Sequence, residues 1–355
     1  MPNWTESMQQ SFEYYVVDPA TWKDKKLLNN VRRCSIQRDS DTNTLGSATI
    51  DVTETVGESY IRVYLVTIQN GVKEKHPLGT FLVQTPSSQF DGRARSVSMD
   101  AYTPLLELNE NQPPIGYFVP KGSNIMTAAY DLVKDNARAP VLPATKSDNL
   151  HNDFVAETSE TWLGFISALI ANAKYSFDLD EMGRILFAPK QDTASLQPVW
   201  TYDDGDKSIL HMDVSMNHDL YDVPNVVEVV YTTSTSSENL YVIAENNDPD
   251  SPTSIQNRGR KITHRITNPD INNGEPSLKQ LQEYAERILE EMSTIEYTLR
   301  YTHAYCPVRV GDCVRINYSR ADLTNIKAKV ISQSIRCEPG CSVQETAVFT
   351  TKLWR

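Results

Sequence analysis

Asp178 and Asp180 stand two residues apart at the end of the alternating stretch Tyr175-Ser176-Phe177-Asp178-Leu179. Side chains at that spacing share one face of a strand, so the two carboxyls could form an acid–base pair. Such chemistry requires one carboxyl with a raised pKa inside a cleft. A position beside a turn predicts instead two exposed carboxylates of ordinary acidity. The acidic run Asp203-Asp204-Gly205-Asp206 offers oxygen ligands for calcium. It lacks the alternating ligands and terminal glutamate of an EF-hand loop, and reads as a solvated turn. His211 and His218 bracket an acidic strand at a spacing that does not fit a helix-face metal site. His76, His151, His264 and His303 are scattered.

The five cysteines are Cys34, Cys306, Cys313, Cys337 and Cys341. The last four space as Cys-x6-Cys and Cys-x3-Cys, unlike the usual Cys-x2-Cys zinc knuckles. An odd count without a signal peptide points to free, metal-poor thiols. No Gly-x-Ser-x-Gly elbow, His-Glu-x-x-His helix or phosphate-cradling glycine loop occurs. The expectation is a protein with no catalytic residues, no cofactor and no metal. The 17 tyrosines could form a stacking platform for sugars or bases. Most of them lie in strand-like segments, where aromatics serve packing.

The best-formed element is Ser159 to Pro189. Trp162, Phe165, Ile166, Leu169, Ile170 and Ala173 make one helical stripe, with Ser159 placed to cap the helix. The period then switches to two for Tyr175, Phe177 and Leu179. Asp180 to Gly183 turns the chain, and Arg184 to Ala188 returns. Before this unit, Phe12 to Val17, Val31 to Arg38, Ser47 to Thr53, Tyr60 to Ile68, Leu78 to Thr85 and Ala94 to Tyr102 read as strands, with 1–11 as a polar arm. Asn70-Gly71 and the segment 90–93 are turns. Lys121-Gly122-Ser123 leads into a helix with Ile125, Ala128, Ala129, Leu132 and Val133 on one side and Ser123 as cap. After Trp200 the chain returns to strands. One long helix interrupts them at about 277–292, with Ser277 and Gln280 in capping-box spacing. Its apolar stripe is Leu278, Leu281, Ala285, Ile288, Leu289 and Met292.

The fold class expected is mainly β with an α/β insert. Its segments are a first β domain, a small sandwich or barrel, at 1–109, an α/β section at 110–200 and a second β domain at 201–355. Tyr60 to Ile68 is apolar on both faces, with Arg62 its sole charge. A strand of this kind is covered on both sides. We expect the second cover to be a partner, which makes Tyr60, Tyr64, Val66 and Ile68 the candidate inter-subunit face.

A chain of 355 residues exceeds one ordinary core. Its net charge of −12 argues against wrapping nucleic acid, which needs a basic stripe. The start, Met1-Pro2-Asn3-Trp4-Thr5-Glu6, has neither the basic nor the apolar region of a signal peptide. The longest nearly apolar run, Trp162 to Ala173, is too short to span a bilayer. Synthesis and folding in a cytoplasm are expected, with no membrane segment.

Several stretches, taken in order, resemble the hub proteins of tailed-phage tails and phage-like particles. They are 116–133 (Gly116-Tyr-Phe-Val-Pro-Lys-Gly-Ser-Asn-Ile-Met-Thr-Ala-Ala-Tyr-Asp-Leu-Val133), followed by the Trp162 helix and its hairpin; Val223-Pro-Asn-Val-Val-Glu-Val-Val230; and Asp250-Ser-Pro-Thr-Ser254 with Arg258-Gly-Arg-Lys261. Then come Tyr284-Ala-Glu-Arg-Ile-Leu289, Pro307-Val-Arg-Val-Gly-Asp-Cys-Val314, Lys327-Ala-Lys-Val-Ile331 and Gln344-Glu-Thr346. Together they cover about Val31 to Leu353. The resemblance implies two tail-tube-like barrels per chain and a homotrimer that joins a six-fold tube to a three-fold tip around a DNA channel. It implies as partners a distal tail or tail-tube protein, a tape measure protein, and a spike, fibre or receptor-binding tip protein. Genome DNA would pass without specific binding. The location implied is the virion, at its tail tip or baseplate, with assembly in the host cytoplasm. That family shares no catalytic residues, so none carry over. The competing reading is a virion adhesin or cell-wall carbohydrate-binding module, which an exposed aromatic-lined groove would favour.

Overall fold

The computed structural model describes residues 2–54, 56–90, 92, 95–146, 148–191, 193–232, 239–271 and 276–354, with the side chains of Thr85, Arg95, Ala194 and Met212 left aside. Strand exceeds helix about three to one. The chain opens with β1 (Gln9–Asp18), β2 (Lys23–Leu28), β3 (Val31–Asp39), β4 (Gly46–Val52), β5 (Tyr60–Gln69), β6 (Val72–Phe90) and β7 (Arg95–Tyr102). A mixed section follows: α1 (Leu106–Glu110), β8 (Phe118–Val119), α2 (Ile125–Asn136), β9 (Phe154–Val155), α3 (Trp162–Ala171), β10 (Tyr175–Leu179) and β11 (Ile185–Pro189). Next come β12 (Trp200–Asp203), β13 (Leu210–His218), β14 (Val226–Thr232), β15 (Asn239–Glu245), α4 (Ile255–Arg258), β16 (Thr263–Thr267) and α5 (Leu278–Met292). The last strands are β17 (Thr294–Ala304), β18 (Cys313–Tyr318), β19 (Leu323–Arg336) and β20 (Ser342–Lys352).

Two compact units result. One comprises 1–214 and 300–347; the other comprises 215–299 and 348–355. They do not coincide with the segments 1–109, 110–200 and 201–355. The reason is packing: α2, α3, β10 and β11 share one core with Val17, Trp22, Tyr60 and Leu82 of the first segment. No closed barrel is present among the described residues, and no helix there is long and apolar enough to cross a membrane.

In the first unit β3 sits between β4 and β19, and the sheet continues as β4-β7-β6-β5-β1-β2. The Asn70-Gly71 turn joins β5 to β6 with both residues at positive φ, 50° and 77°, as a tight hairpin requires. The turn at 90–93 contains Asp91 and Arg93, which lie outside the described residues. β2 was not legible: Lys23-Asp24-Lys25-Lys26 has no apolar alternation, and only Leu28 of that strand is buried. The segment 1–11 is no free arm. Gln9 to Ser11 pair with β5, and Trp4 is buried against the rings of His76 and Tyr305.

The stripe of α3 is buried as the periodicity requires. Its cap is Thr161, whose hydroxyl accepts from Gly164 N at 3.1 Å, rather than Ser159. Likewise Asn124, and not Ser123, caps α2, accepting from Thr127 N at 3.0 Å. The β10–β11 turn seats closely on β6. Gly183 holds φ +73°, and a Cβ there would lie 2.6 Å from Thr80 Cβ. Gly183→Ala is therefore expected to destabilise the protein by about 1–3 kcal/mol, read as a lower denaturant midpoint.

In the second unit α5 packs on β14 and β15 through Leu281, Ala285 and Leu289, with Trp354 in the same cluster. Ser277 and Gln280 form the expected capping box. Leu278, expected in the buried stripe, is exposed, because the first turn of α5 overhangs that cluster.

Candidate functional site

The strand expected to await a partner is already covered by its own chain. Tyr60, Tyr64 and Val66 are buried, as are Ile61, Val63 and Leu65; of the four candidate interface residues Ile68 alone is exposed, at 38%. Tyr60 packs edge-on against Trp22. Tyr64 donates to Asp24 Oδ2 at 2.8 Å. The missed cover was β2 and the hairpin turn after β10, neither of which is near β5 in sequence.

Arg62 explains how a charge survives there. It is 1% exposed and donates through Nε to Thr80 Oγ1 at 2.9 Å and through Nη1 to Asp24 Oδ1 at 2.7 Å. Nη2 donates to Met182 O at 3.0 Å and Trp22 O at 3.3 Å. Trp22 Nε1 also donates to Met182 O, at 2.8 Å. A lone charge in a strand apolar on both faces has to be paired, and that was the signal available in the sequence.

From another direction the same hairpin is held by Arg309. Its Nε lies 2.8 Å from Glu181 Oε1, its Nη2 lies 3.5 Å from Asp178 Oδ1, and Nη2 also donates to Leu179 O. The Arg309 N–H donates to Asp312 Oδ2 at 2.8 Å. These groups border a cleft of about 660 Å³ lined by all of β10, by Arg38, and by Arg309 to Cys313. Asp178 is therefore not the ordinary exposed carboxylate expected. Its side chain is 34% exposed, and burial raises its pKa against the opposing pull of Arg309. Burial raises Asp312 as well. Asp180 instead pairs with Arg184, 2.5 Å from its Nε, and points its chemistry at the turn.

A chain of polar contacts runs inward from the cleft. Arg38 Nη1 lies 3.9 Å from Glu181 Oε1 and donates to Gln333 Oε1 at 3.2 Å. Gln333 Nε2 donates to Glu345 Oε2 at 2.7 Å and to Val308 O at 2.9 Å. Glu345 and His303 are fully buried, with Nε2 and Oε2 3.3 Å apart. Tyr301 donates to Glu345 Oε1, and Tyr202 OH lies 3.1 Å from His303 Nε2. Burial by itself lowers the imidazole pKa; the contacts with Cys306 and Glu345 outweigh it and hold it up at about 10. Cys306 Sγ is 3.9 Å from His303 Nδ1. A thiol, an imidazole and a carboxylate thus stand in sequence, yet all three are sealed from solvent, so no substrate atom reaches the sulfur. The cluster is a structural ion pair with its lone pairs occupied.

The remaining candidates disperse. Asp204 Oδ2 accepts from Ser319 N and Oγ at 3.1 and 2.6 Å, and Asp203 Oδ1 from Gly205 N at 3.1 Å; this acidic run is a turn and a latch to the short 3-10 helix Ser319–Ala321 after β18. His218 stacks on Tyr297 at 4.6 Å. Among the described residues no group of three or more His, Cys, Asp or Glu side chains is arranged to hold a metal ion. All five cysteines are buried. Cys337 N donates to Cys34 O at 3.0 Å, and contact with Cys34 together with burial holds the Cys337 thiol well above its usual pKa.

The sequence matches no family model and no curated protein. Solved structures do share its fold. A tail protein from Neisseria meningitidis aligns with a TM-score of 0.62 at 14% identity, covering 96% of each chain. The 43 kDa tail protein of prophage MuSo2 from Shewanella oneidensis gives 0.60 at 10% identity, over 95% of this chain and 98% of that one. An Escherichia coli component of the type VI secretion system, described as structurally similar to T4 bacteriophage tail proteins, gives 0.50 at 9% identity over 92% and 75%. At these identities the likeness is one of fold: the chain has the fold of phage tail proteins.

Proposed function

We propose that this protein is a structural hub of a phage tail tip or baseplate, three copies of which form a ring joining a six-fold tube to a three-fold tip and enclosing a DNA channel. The observation that carries this reading is the end-to-end match to two tail proteins, one of them from a prophage, over 95% or more of this chain and 96% or more of each of theirs. The site chemistry agrees with it. Arg62, Arg309 and Glu345 are engaged in holding strands and the hairpin together, and the thiol–imidazole pair is sealed inside. In this reading the neighbours are a tube or distal tail protein, a tape measure protein and a tip protein. Tyr60, Tyr64 and Val66 are buried within their own chain and Ile68 is exposed, so in this reading the contact between copies is made elsewhere than at those three.

The decisive experiment is the solution mass of the purified chain by analytical ultracentrifugation, paired with a low-resolution image. A trimeric ring is expected, and a monomer at every concentration overturns the hub. The bore of that ring is expected to carry more Asp and Glu than Lys and Arg. A basic bore would hold phosphates, and each contact would slow DNA passage; the net charge of −12 per copy permits the opposite. Purified protein is also expected to leave cell-wall sacculi and denatured casein intact. Turnover abolished by Asp178→Asn would identify an enzyme instead.

A further inference from the structure

We propose that the free edge of β10 is a docking site for an extended, basic segment of another protein, which adds to β10 as a third strand and places a Lys or Arg side chain against Asp178. This inference stands on the cleft alone and goes beyond the hub reading.

The first observation is the ladder. β10 and β11 are antiparallel, with Ser176 opposite Ala188 and Asp178 opposite Leu186. Flanking bonds fix which pairs are hydrogen-bonded: Lys190 N donates to Lys174 O at 2.8 Å and Asp180 N to Arg184 O at 3.1 Å. Bonded pairs alternate along an antiparallel ladder, so residues 174, 176, 178 and 180 face β11. Tyr175, Phe177 and Leu179 therefore turn their N–H and C=O groups the other way. Leu179 confirms it: its N–H donates to Asp178 Oδ1 at 2.8 Å and its C=O accepts from Arg309. The backbone N–H and C=O of Phe177 have no hydrogen-bond partner among the described residues. An open strand edge of this kind is a template for another strand.

The second observation is room. Every residue of β10 lines the cleft of about 660 Å³. Leu179 already spends its N–H and C=O on Asp178 and Arg309, so the open part of the edge runs from Tyr175 to Phe177 and pairs with about three residues of an incoming strand.

The third is charge. Asp178 uses Oδ1 for Leu179 N and Arg309, while Oδ2 accepts no hydrogen bond among the described residues. Arg309 is nearer Glu181 than Asp178, at 2.8 against 3.5 Å. A partly buried carboxylate with an open oxygen favours a cation that arrives with its own hydrogen-bond donors. A chain of net charge −12 is complementary to a basic partner. Lys190 and Lys329 also line the cleft, so an acidic peptide is the necessary control.

The probes are three fluorescein-labelled hexapeptides, read by anisotropy against the full chain. One is Thr-Lys-Val-Lys-Val-Thr, the second has Glu in place of Lys, and the third is the basic peptide N-methylated at alternate residues. The basic peptide is expected to bind saturably and to slow amide exchange at 175 and 177. The acidic and N-methylated peptides are each expected to bind at least about tenfold more weakly, the size of one charge-assisted hydrogen bond. Asp178→Asn, verified as folded by circular dichroism and an unchanged melting temperature, is expected to erase the preference for Lys over Glu. Equal binding of the acidic peptide, equal binding of the N-methylated peptide, or no binding at all overturns the proposal. So does protection of the 177 amide in the chain without peptide, accompanied by self-association, because a second copy then occupies the edge.

Discussion

Arg62→Met is expected to lower the stability of the protein by about 3 kcal/mol, the lower end of what removing one partner of a buried ion pair costs. The lower end applies because Asp24 is 30% exposed and keeps some water when abandoned. The loss is not of charge alone. The guanidinium reaches four acceptors, on β6, on β2, before β2 and in the hairpin turn. Lysine, a point charge with a flexible stem, cannot reproduce that fork, so Arg62→Lys is expected to recover less than half of the loss. Tyr64→Asp is expected to fail in the same way as Val63→Asp. It puts a second carboxylate beside Asp24 inside the fold, and it does not yield a folded chain that merely fails to assemble. Denaturation midpoints of the variants, with circular dichroism to verify folding, test these outcomes. A stable Arg62→Met protein would show that the hairpin is seated by shape alone.

The second large effect concerns His303 and pH. The folded imidazole holds its proton up to about pH 10, against an ordinary value of 6.5. A folded-state pKa raised in this way adds stability that is complete below about pH 6.5 and is lost as pH climbs toward 10. The wild-type denaturant midpoint is therefore expected to fall steadily over that window. Buried Cys313, Cys337 and Cys341, and Tyr202 and Tyr301 beside Glu345, are likewise held above their usual pKa, so they add a loss of the same sign from about pH 9 upward, and the fall between pH 6.5 and about 8 is the part that reports His303. Glu345→Gln keeps the shape and removes the counter-charge. It is expected to cost about 3–5 kcal/mol at pH 6 and much less at pH 10, which flattens the profile. Urea titrations at pH 6, 8 and 10 read this directly. A wild-type profile flat from 6.5 to about 8 would mean that His303 is buried neutral.

Local signals were legible. The switch from helical to strand period between Ala173 and Tyr175, the Asp180–Gly183 turn, the Asn70-Gly71 hairpin and the Ser277 capping box each depend on residues within a few positions of one another. What was not legible depends on distant partners. Arg62 meets Met182, and Asp178 meets Arg309. Asp178 looked like a surface carboxylate because the segment that buries it comes from far along the chain. Glu345 was readable in part. It falls between Val343 and Ala347 in the alternation of β20, both buried, and His303 follows Leu299 and Tyr301 in the same way on β17. Two polar residues on the inward register of two strands imply a pair, though not which pair. The two-unit organisation was hidden because the unit boundaries fall inside β13, β17 and β20.

The pairing of β3 with β19 also dictates an order of events during synthesis. Ile36 lies opposite Ile335, and Ser35 opposite Arg336. One side of β3 therefore waits on the ribosome until the distant β19 has emerged. Contacts this distant in sequence form slowly, and a waiting strand edge invites pairing with the wrong chain. Arg32, Arg33 and Arg38 give that edge a run of positive charge, which discourages premature pairing between nascent copies. Neutralising Arg32 and Arg33, both exposed in the finished protein, would leave the native state almost untouched while lowering the yield of soluble chain.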